Sequence, residues 1–182
     1  MDPADYPIRL PESLTDGVLL LDAPTLADAE AHQAGEDDEM RLRFDSLRRA
    51  TLEETRGAMQ RWMDARAAGH PNFAYMARLP GAGLIGGCEI RLVEPDVANV
   101  SYWLYPQFRG QGHAARALRL LLAAAPQIAG LARIEAHISP DNLASRRLAE
   151  RLGFTENGLT EETAWHGGVS TMVRYEMSVG RS

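Results

Sequence analysis

A glycine-containing loop in the middle of the chain has the composition of an anion-binding site. The loop, Gln107–Ala114 (QFRGQGHA), leads directly into a helical stretch. The first N–H groups of a helix have no partner within the helix, and the helix dipole adds partial positive charge, so a phosphate group is stabilised there. Gly110 and Gly112 let the backbone approach an anion because they carry no Cβ, and Arg109 can add a charge-assisted hydrogen bond.

The same loop lacks the residues of two common nucleotide-binding loops. No lysine followed by Ser or Thr comes after the last glycine, as a nucleotide-hydrolysing phosphate loop requires. The third glycine of the dinucleotide fingerprint is absent, and the preceding strand has an antiparallel context. All 19 basic residues of the chain are arginine, and none is lysine. Schiff-base chemistry and protein-kinase catalysis are therefore excluded, because both need a lysine amine.

A second pattern of spaced residues follows the loop, and the two together suggest a family. Asn142 is followed by Ser145, Ala149 and Gly153–Phe154, in the form N-x-x-S-x-R-x-x-x-x-x-G-F. With the Q-x-x-G-x-G form of the loop, this resembles the GCN5-related N-acetyltransferase (GNAT) superfamily. It is most similar to the RimJ/RimL-type branch, which acetylates the N-termini of ribosomal proteins. The resemblance extends over about residues 17–179.

The resemblance implies an acetyltransferase that uses acetyl-CoA as co-substrate, without a metal, and a primary amine as acceptor. The pantetheine arm would lie between two strands that separate, where backbone N–H groups would also stabilise the oxyanion. Asn142 would contact the pantetheine arm, cap a helix, or do both. The other residues implied at the co-substrate are Trp103, Leu104, Tyr105, Arg109, Gly110, Gln111, Gly112, His113 and Ala114.

The catalytic positions depart from the best-known pattern of this family. Many relatives use a tyrosine to protonate the thiolate, and this chain has Ala149 in that place. We expect Ser145 to take the acid role, as a serine is thought to do in the ribosomal-protein branch; a capping or surface serine is the alternative. Relatives often carry a glutamate before the loop, where this chain has Asn99. Glu89 and Glu162 are candidate bases acting through water, unless they are solvated strand residues.

Three further residues are candidates for the cleft. Glu161 is a candidate base like its neighbour Glu162. His137 alternates with apolar residues on a central strand, so it lines the cleft or is a buried, hydrogen-bonded histidine. Trp165 forms a wall of the acceptor site or part of the structural core.

Hydrophobic periodicity predicts the scaffold that must hold these residues. Strands are predicted at residues 17–22, 73–77, 84–92, 99–105, 133–139, 160–165 and 172–179. Helices are predicted to begin at Thr25, Thr51, Ala115 and Asp141 or Asn142. This order (strand, two helices, three antiparallel strands, helix, strand, helix, two strands) matches the GNAT fold. We therefore expect an α+β protein with a mixed, mostly antiparallel central sheet and helices on both faces.

Composition limits the protein class. The length of 182 residues predicts a single domain, residues 1–182, and a hydrophobic content of 45% with 24% charged residues is ordinary for a globular protein. The single cysteine, Cys88, cannot form an intrachain disulfide, and the first residues lack the apolar region of a signal peptide. These features favour a cytoplasmic protein that does not enter a membrane.

The distribution of charge bears on the acceptor. Residues 1–60 carry a net charge of -8 and residues 61–182 carry +2. An acidic region such as Glu36–Glu39 favours a cationic acceptor, although it is also typical of a solvated loop. The absence of a dense basic stripe disfavours nucleic acid. Three functions remain: acetylation of a protein or peptide N-terminal α-amine, acetylation of a small cationic amine, and a non-catalytic acyl-CoA-binding module.

Overall fold

The computed structural model describes residues 9–44, 48–70, 72–163 and 168–180, so Trp165 lies outside the described residues. The strands are β1 (Ser13–Thr15), β2 (Leu20–Asp22), β3 (Asn72–Leu79), β4 (Gly83–Glu94), β5 (Val97–Leu104), β6 (Arg133–Ile138), β7 (Thr155–Thr163) and β8 (Val169–Ser178). The helices are α1 (Ala29–Gly35), α2 (Asp38–Arg43), α3 (Leu52–Ala68), α4 (His113–Ala124) and α5 (Leu143–Arg151).

The strands form one sheet with the order β1-β2-β3-β4-β5-β6-β8-β7. Only β5 and β6 run parallel; the other neighbouring pairs are antiparallel. The predicted mixed and mostly antiparallel sheet is confirmed. The short strand β1 was not predicted, since three residues are too few to show a period. No described helix has the length and apolar character needed to span a bilayer.

Two groups of buried side chains show that helices cover both faces of the sheet. On the first face, α4 packs on β4 and β5, and its Ala117 and Leu121 belong to one buried cluster with Cys88 and Ile90. On the second face, a smaller cluster is centred on Met59, Trp103 and other residues. The second cluster comprises Ala29, Met40, Met59, Met76, Trp103 and Tyr105. A ligand-binding site can therefore form between the two layers of helices wherever neighbouring strands of the sheet separate.

Local signals explain where the helices begin and end. Thr51 accepts a hydrogen bond from the backbone N–H of Glu54, whose side chain accepts one from the N–H of Thr51. This capping box begins α3 at the predicted residue. Gly69 ends α3 in the left-handed conformation, with φ of 66°. The acidic stretch after Gly35 separates α1 from α2, because Asp37 caps α2 by accepting from the N–H of Met40.

A buried ion pair ties the start of α1 to the sheet. Asp28 is 5% exposed, and its carboxylate binds Arg78 at 2.8 Å and accepts from the N–H of Thr25 at 2.8 Å. Burial opposes ionisation of Asp28, but the hydrogen bonds from Arg78 and Thr25 outweigh it and lower its pKa. A second carboxylate, Asp22, also contacts Arg78 at 2.8 Å.

Asp28→Asn is expected to lower the free energy of unfolding at pH 7 by about 2 kcal/mol, because it leaves a half-buried guanidinium with one partner fewer. Urea denaturation would measure this loss. Since the pKa of Asp28 is lowered, its contribution is present above the usual carboxyl range and disappears as the pH falls through the folded value. Asp22→Asn, at a more exposed carboxylate, is the control and should cost less. Equal losses would contradict the argument.

Candidate active site

A cleft opens in the sheet where β5 and β6 separate. The two parallel strands pair only where Val97–Asn99 lies beside Arg133–Glu135. Beyond this point β5 continues unpaired with β6 to Leu104, and β6 continues to Ile138. The cleft has a volume of about 870 Å³, and residues of β4–β8, α2, α4 and α5 line it. The opening between the strands predicted at 99–105 and 133–139 is therefore present.

The backbone of β5 offers fewer groups to this cleft than expected. The N–H of Tyr105 donates to the carbonyl of Ile85 at 3.0 Å, and Trp103 is paired with Gly87, so both residues direct their backbone towards β4. Successive residues of a strand direct their backbone N–H and C=O groups to opposite edges of the strand, so the backbone groups of Tyr102 and Leu104 face the opening. The expectation that Trp103 and Tyr105 offer backbone hydrogen bonds there is corrected; Leu104 keeps its N–H available.

Trp103 instead contributes its side chain to the second face of the sheet. Its indole stacks on Trp62 with ring centroids 5.5 Å apart. A Cβ added to Gly87 would collide with this indole and lie 2.6 Å from the carbonyl oxygen of Tyr75. The absence of a side chain at Gly87 therefore makes room for this close approach of the indole.

The glycine loop has the conformation of an anion site. Gly110 and Gly112 have φ values of 72° and 83°, and Gly112 is the N-cap residue of α4. The N–H groups of the first turn, from His113 onward, therefore point towards the cleft end that Gly110, Gly112 and Ala114 line. The side chain of Gln111 donates to the carbonyl of Gln107 at 2.8 Å and closes the loop.

Arg109 is occupied by protein groups, which corrects its expected role as a side-chain ligand of phosphate. Its guanidinium binds both carboxylate oxygens of Asp37, at 2.7 and 2.8 Å, and Glu39 at 2.9 Å. Its Nε donates to the carbonyl of Leu104 at 3.0 Å. Arg109 thus fixes α2 to the loop and to the end of β5. Its backbone N–H donates to the carbonyl of Pro106 at 3.3 Å, so the amides that remain for an anion begin at Gly110.

A cationic surface adjoins the glycine loop outside the main cleft. A second cavity, of about 660 Å³, is shared by Gly112 and Gln111 with three arginines from α4 and α5. These arginines are Arg116, Arg119 and Arg151. Arg116 is paired with Asp16, so part of this charge is already neutralised.

Ser145 lies in the cleft and has a partner that the sequence did not reveal. The side-chain oxygen of Asn142 accepts from the N–H of Ser145 at 3.2 Å, so Asn142 caps α5. The hydroxyl of Ser145 lies 2.7 Å from the phenol oxygen of Tyr102 on β5. Burial raises the pKa of Tyr102. The one sequence signal for Tyr102 is its alternation with Trp103, which places it on the face opposite the indole.

Candidate bases lie across the opening on the second face of the sheet. Glu162 accepts from Nδ1 of His137 at 2.6 Å, and Nε2 of His137 lies 3.0 Å from Glu135. Glu135 is 6% exposed. The bond to Glu162, more than that to Glu135, raises the pKa of His137 against the effect of burial. Neutral imidazole has one N–H, so two carboxylate partners favour the imidazolium.

Glu89 lines the same cleft from β4, opposite Ser101. Burial raises its pKa, and the charge of Arg91 opposes this effect. Asn99, the neutral residue at the usual glutamate position, is 9% exposed and its Nδ2 has no partner among the described residues. The cleft therefore contains carboxylates on both sides of the opening and none at the usual position.

The cleft is not strongly acidic. The charged residues among the described lining are the carboxylates Glu39, Glu89 and Glu162, the imidazolium of His137 and the arginines Arg43, Arg91, Arg109 and Arg151. Two of the carboxylates are engaged with Arg109 and His137. The acidic stretch at 36–39 largely caps α2 and pairs with arginines, so it does not form a free anionic approach.

Comparisons with known proteins agree with this geometry. The family model described as an acetyltransferase (GNAT) domain matches residues 19–155. No curated protein sequence gives a significant match to the chain.

Solved structures show the same fold at low sequence identity. An acetyltransferase from Salmonella typhimurium that modifies the N-terminal serine of 50S ribosomal subunit protein L7/L12 is 23% identical, with a TM-score of 0.79; the match covers 93% of this chain and 100% of that chain. RimJ of Mycobacterium smegmatis, in complex with CoA-disulfide, is 21% identical with a TM-score of 0.75. The match covers 98% of this chain and 90% of that chain. The microcin C7 self immunity acetyltransferase MccE, in complex with acetyl-CoA and AMP, is 17% identical with a TM-score of 0.76. The match covers 90% of this chain and 94% of that chain.

Proposed function

The chain belongs to the GNAT acetyltransferase family, and from this premise we propose that it transfers an acetyl group from acetyl-CoA to the N-terminal α-amine of a protein or peptide. The observation that carries the proposal is the opening between β5 and β6. The glycine loop lies at one end of this opening, the hydroxyls of Ser145 and Tyr102 lie on one face, and carboxylates lie on the other.

The co-substrate would be held mainly by backbone groups. The pyrophosphate would be bound by the amides from Gly110 to Ala114 at the start of α4, an arrangement that needs no lysine. Arg116, Arg119 and Arg151 would add positive charge near the other phosphate of CoA. The N–H of Leu104 would bind the pantetheine arm or the thioester oxygen. In support, CoA-disulfide and acetyl-CoA are bound in two of the similar structures.

The reaction needs a neutral amine, a stabilised oxyanion and a protonated thiolate. Glu162, acting directly or through one water, would accept a proton from the acceptor ammonium. The amine would then attack the thioester carbon, and backbone N–H groups of β5 would stabilise the oxyanion. The C–S bond would break with its electron pair on sulfur, and Ser145 would donate its proton to the sulfur and recover one from a neighbouring donor. The nitrogen, positively charged after the attack, would release a proton to water to give the neutral amide. Glu89 would attract the ammonium group electrostatically from the opposite side of the opening.

The acceptor is best explained as an α-amine. Its pKa is about 8, against about 10.4 for an alkyl ammonium, so less basic machinery is needed. Three engaged or half-buried carboxylates facing four arginines suit a single ammonium group better than a polycation. Phe44, directly after α2, lines the cleft and is 45% exposed, and such apolar surface suits a polypeptide.

An acceptor screen would test this function. Release of CoA thiol is measured with peptides bearing free N-termini, the same peptides blocked at the α-amine but containing lysine, polyamines and aminoglycosides. Turnover of unblocked peptides, and at least about tenfold less with the other classes, is expected. Faster turnover of polyamines or aminoglycosides would contradict the α-amine assignment. Acetyl-CoA binding without turnover of any amine would contradict the enzymatic role of this site.

A further inference from the structure

The contact between Tyr102 and Ser145 joins two elements that are far apart in the sequence. Tyr102 belongs to β5 and Ser145 to the first turn of α5, and their oxygens are 2.7 Å apart. Both residues line the cleft. The side chain of Asn142 accepts a hydrogen bond from the backbone N–H of Ser145 and holds this residue in position. Ser145 is thus held by α5, and Tyr102 by β5.

Serine alone is a poor match for the proton that a thiolate needs. An aliphatic alcohol is a much weaker acid than a thiol, whose pKa is about 8.5, whereas the phenol of tyrosine has a pKa of about 10. Proton transfer is most effective between groups of similar acidity. A phenol hydrogen-bonded to the serine would therefore supply the proton that the serine passes on.

The surroundings of Tyr102 keep the phenol protonated. Burial raises its pKa, while the hydrogen bond with Ser145 and, to a smaller extent, the charge of Arg151 on α5 oppose this effect. On β4, Tyr102 is paired with Cys88, a fully buried thiol whose pKa burial also raises. At neutral pH the phenol of Tyr102 is thus protonated and can donate its proton to Ser145.

We propose, on the basis of the function proposed above, that Tyr102 is the proton source for the leaving thiolate and acts through Ser145. As the C–S bond breaks, its electron pair remains on sulfur. The O–H proton of Ser145 moves to sulfur, and the phenol proton of Tyr102 moves to the serine oxygen. The phenolate is then reprotonated from solvent, so the enzyme is restored. Tyr102 is a positioning residue in this scheme, because it reaches the thiolate only through Ser145.

The test is a double-mutant cycle with Tyr102→Phe, Ser145→Ala and the double variant. Each single variant is expected to lower kcat about tenfold, less than a typical acid catalyst because a thiolate is a good leaving group. The double variant should lose no more than Ser145→Ala, and CoA affinity by calorimetry should be unchanged. Tyr175→Phe, at a buried tyrosine bonded to Arg146 away from the cleft, is the matched control and should retain wild-type kcat.

The pH dependence separates a proton donor from a structural hydroxyl. Replacing Tyr102 by 3-fluorotyrosine, whose phenol is more acidic, should move the alkaline decline of kcat to lower pH. Unchanged kcat in Tyr102→Phe, multiplied losses in the double variant, or an unmoved alkaline decline would each overturn the relay. Hydrolysis of acetyl-CoA at the same site would expel the same thiolate without an amine, so its rate in the three variants is the second measurement, which does not depend on a peptide being acetylated. Failure of every peptide would count against the proposed function alone.

Discussion

Replacing Gly112 by valine is expected to weaken CoA binding about a hundredfold, equivalent to about 2.7 kcal/mol. Gly112 has φ of 83°, a conformation that costs other residues about 1–2 kcal/mol and β-branched residues more. A Cβ at this position would meet no protein atom within 4 Å. The added methyl groups would therefore enter the space in front of the α4 amides, where the pyrophosphate is proposed to bind.

Gly130 provides a matched control for this substitution. It has φ of 78° in the connection between α4 and β6, and a Cβ there also meets no atom within 4 Å. Gly130→Val should cause a similar loss of folding stability with unchanged CoA affinity, measured by calorimetry. If both variants bind CoA equally well, the anion site has been placed wrongly. If both lose affinity equally, backbone strain and not occupation of the phosphate site is responsible.

The parts of the fold that the sequence predicts are those determined by local interactions. The capping residue Thr51, the left-handed Gly69 and the glycine loop each depend on neighbours within a few positions. The alternation of β3, β4 and β5, joined by short turns, was sufficient to predict an antiparallel meander. The separation of β5 from β6 came from the family resemblance, since no local pattern encodes a gap between parallel strands.

The side-chain partners in the site could not be predicted in the same way. Arg109 was expected at a phosphate, but Asp37 and Glu39, about seventy positions earlier, bind it in the folded chain. Tyr102 meets Ser145 across 43 positions, and β7 brings Glu162 to His137 across 25. Such contacts are decided by packing of distant elements, and residue type alone admits many partners for an arginine or a glutamate.

Replacing Glu162 by glutamine is expected to lower kcat/KM for a peptide acceptor about a hundredfold near neutral pH, within the usual range for loss of a general base. The acceptor α-amine, with a pKa of about 8, is mostly protonated there and must lose its proton on the enzyme. Above pH 9 the amine is already neutral in solution, so the difference between the variant and the wild type should narrow. A structural role for Glu162 would give a loss independent of pH.

A variant of His137 provides a second test of the role of Glu162. Its pKa is raised by Glu162 and Glu135, so the imidazolium that holds Glu162 persists above the ordinary histidine range and is lost as the pH rises through the raised value. His137→Gln should therefore lower kcat/KM less than Glu162→Gln, with a deficit that also shrinks at high pH. Glu161→Gln is the control: this neighbouring glutamate is on the opposite side of β7, exposed to solvent, and should leave the profile unchanged. A profile of kcat/KM against pH for the three variants decides the matter, because equal losses in Glu161→Gln would assign the effect to the charge of β7 and not to a base.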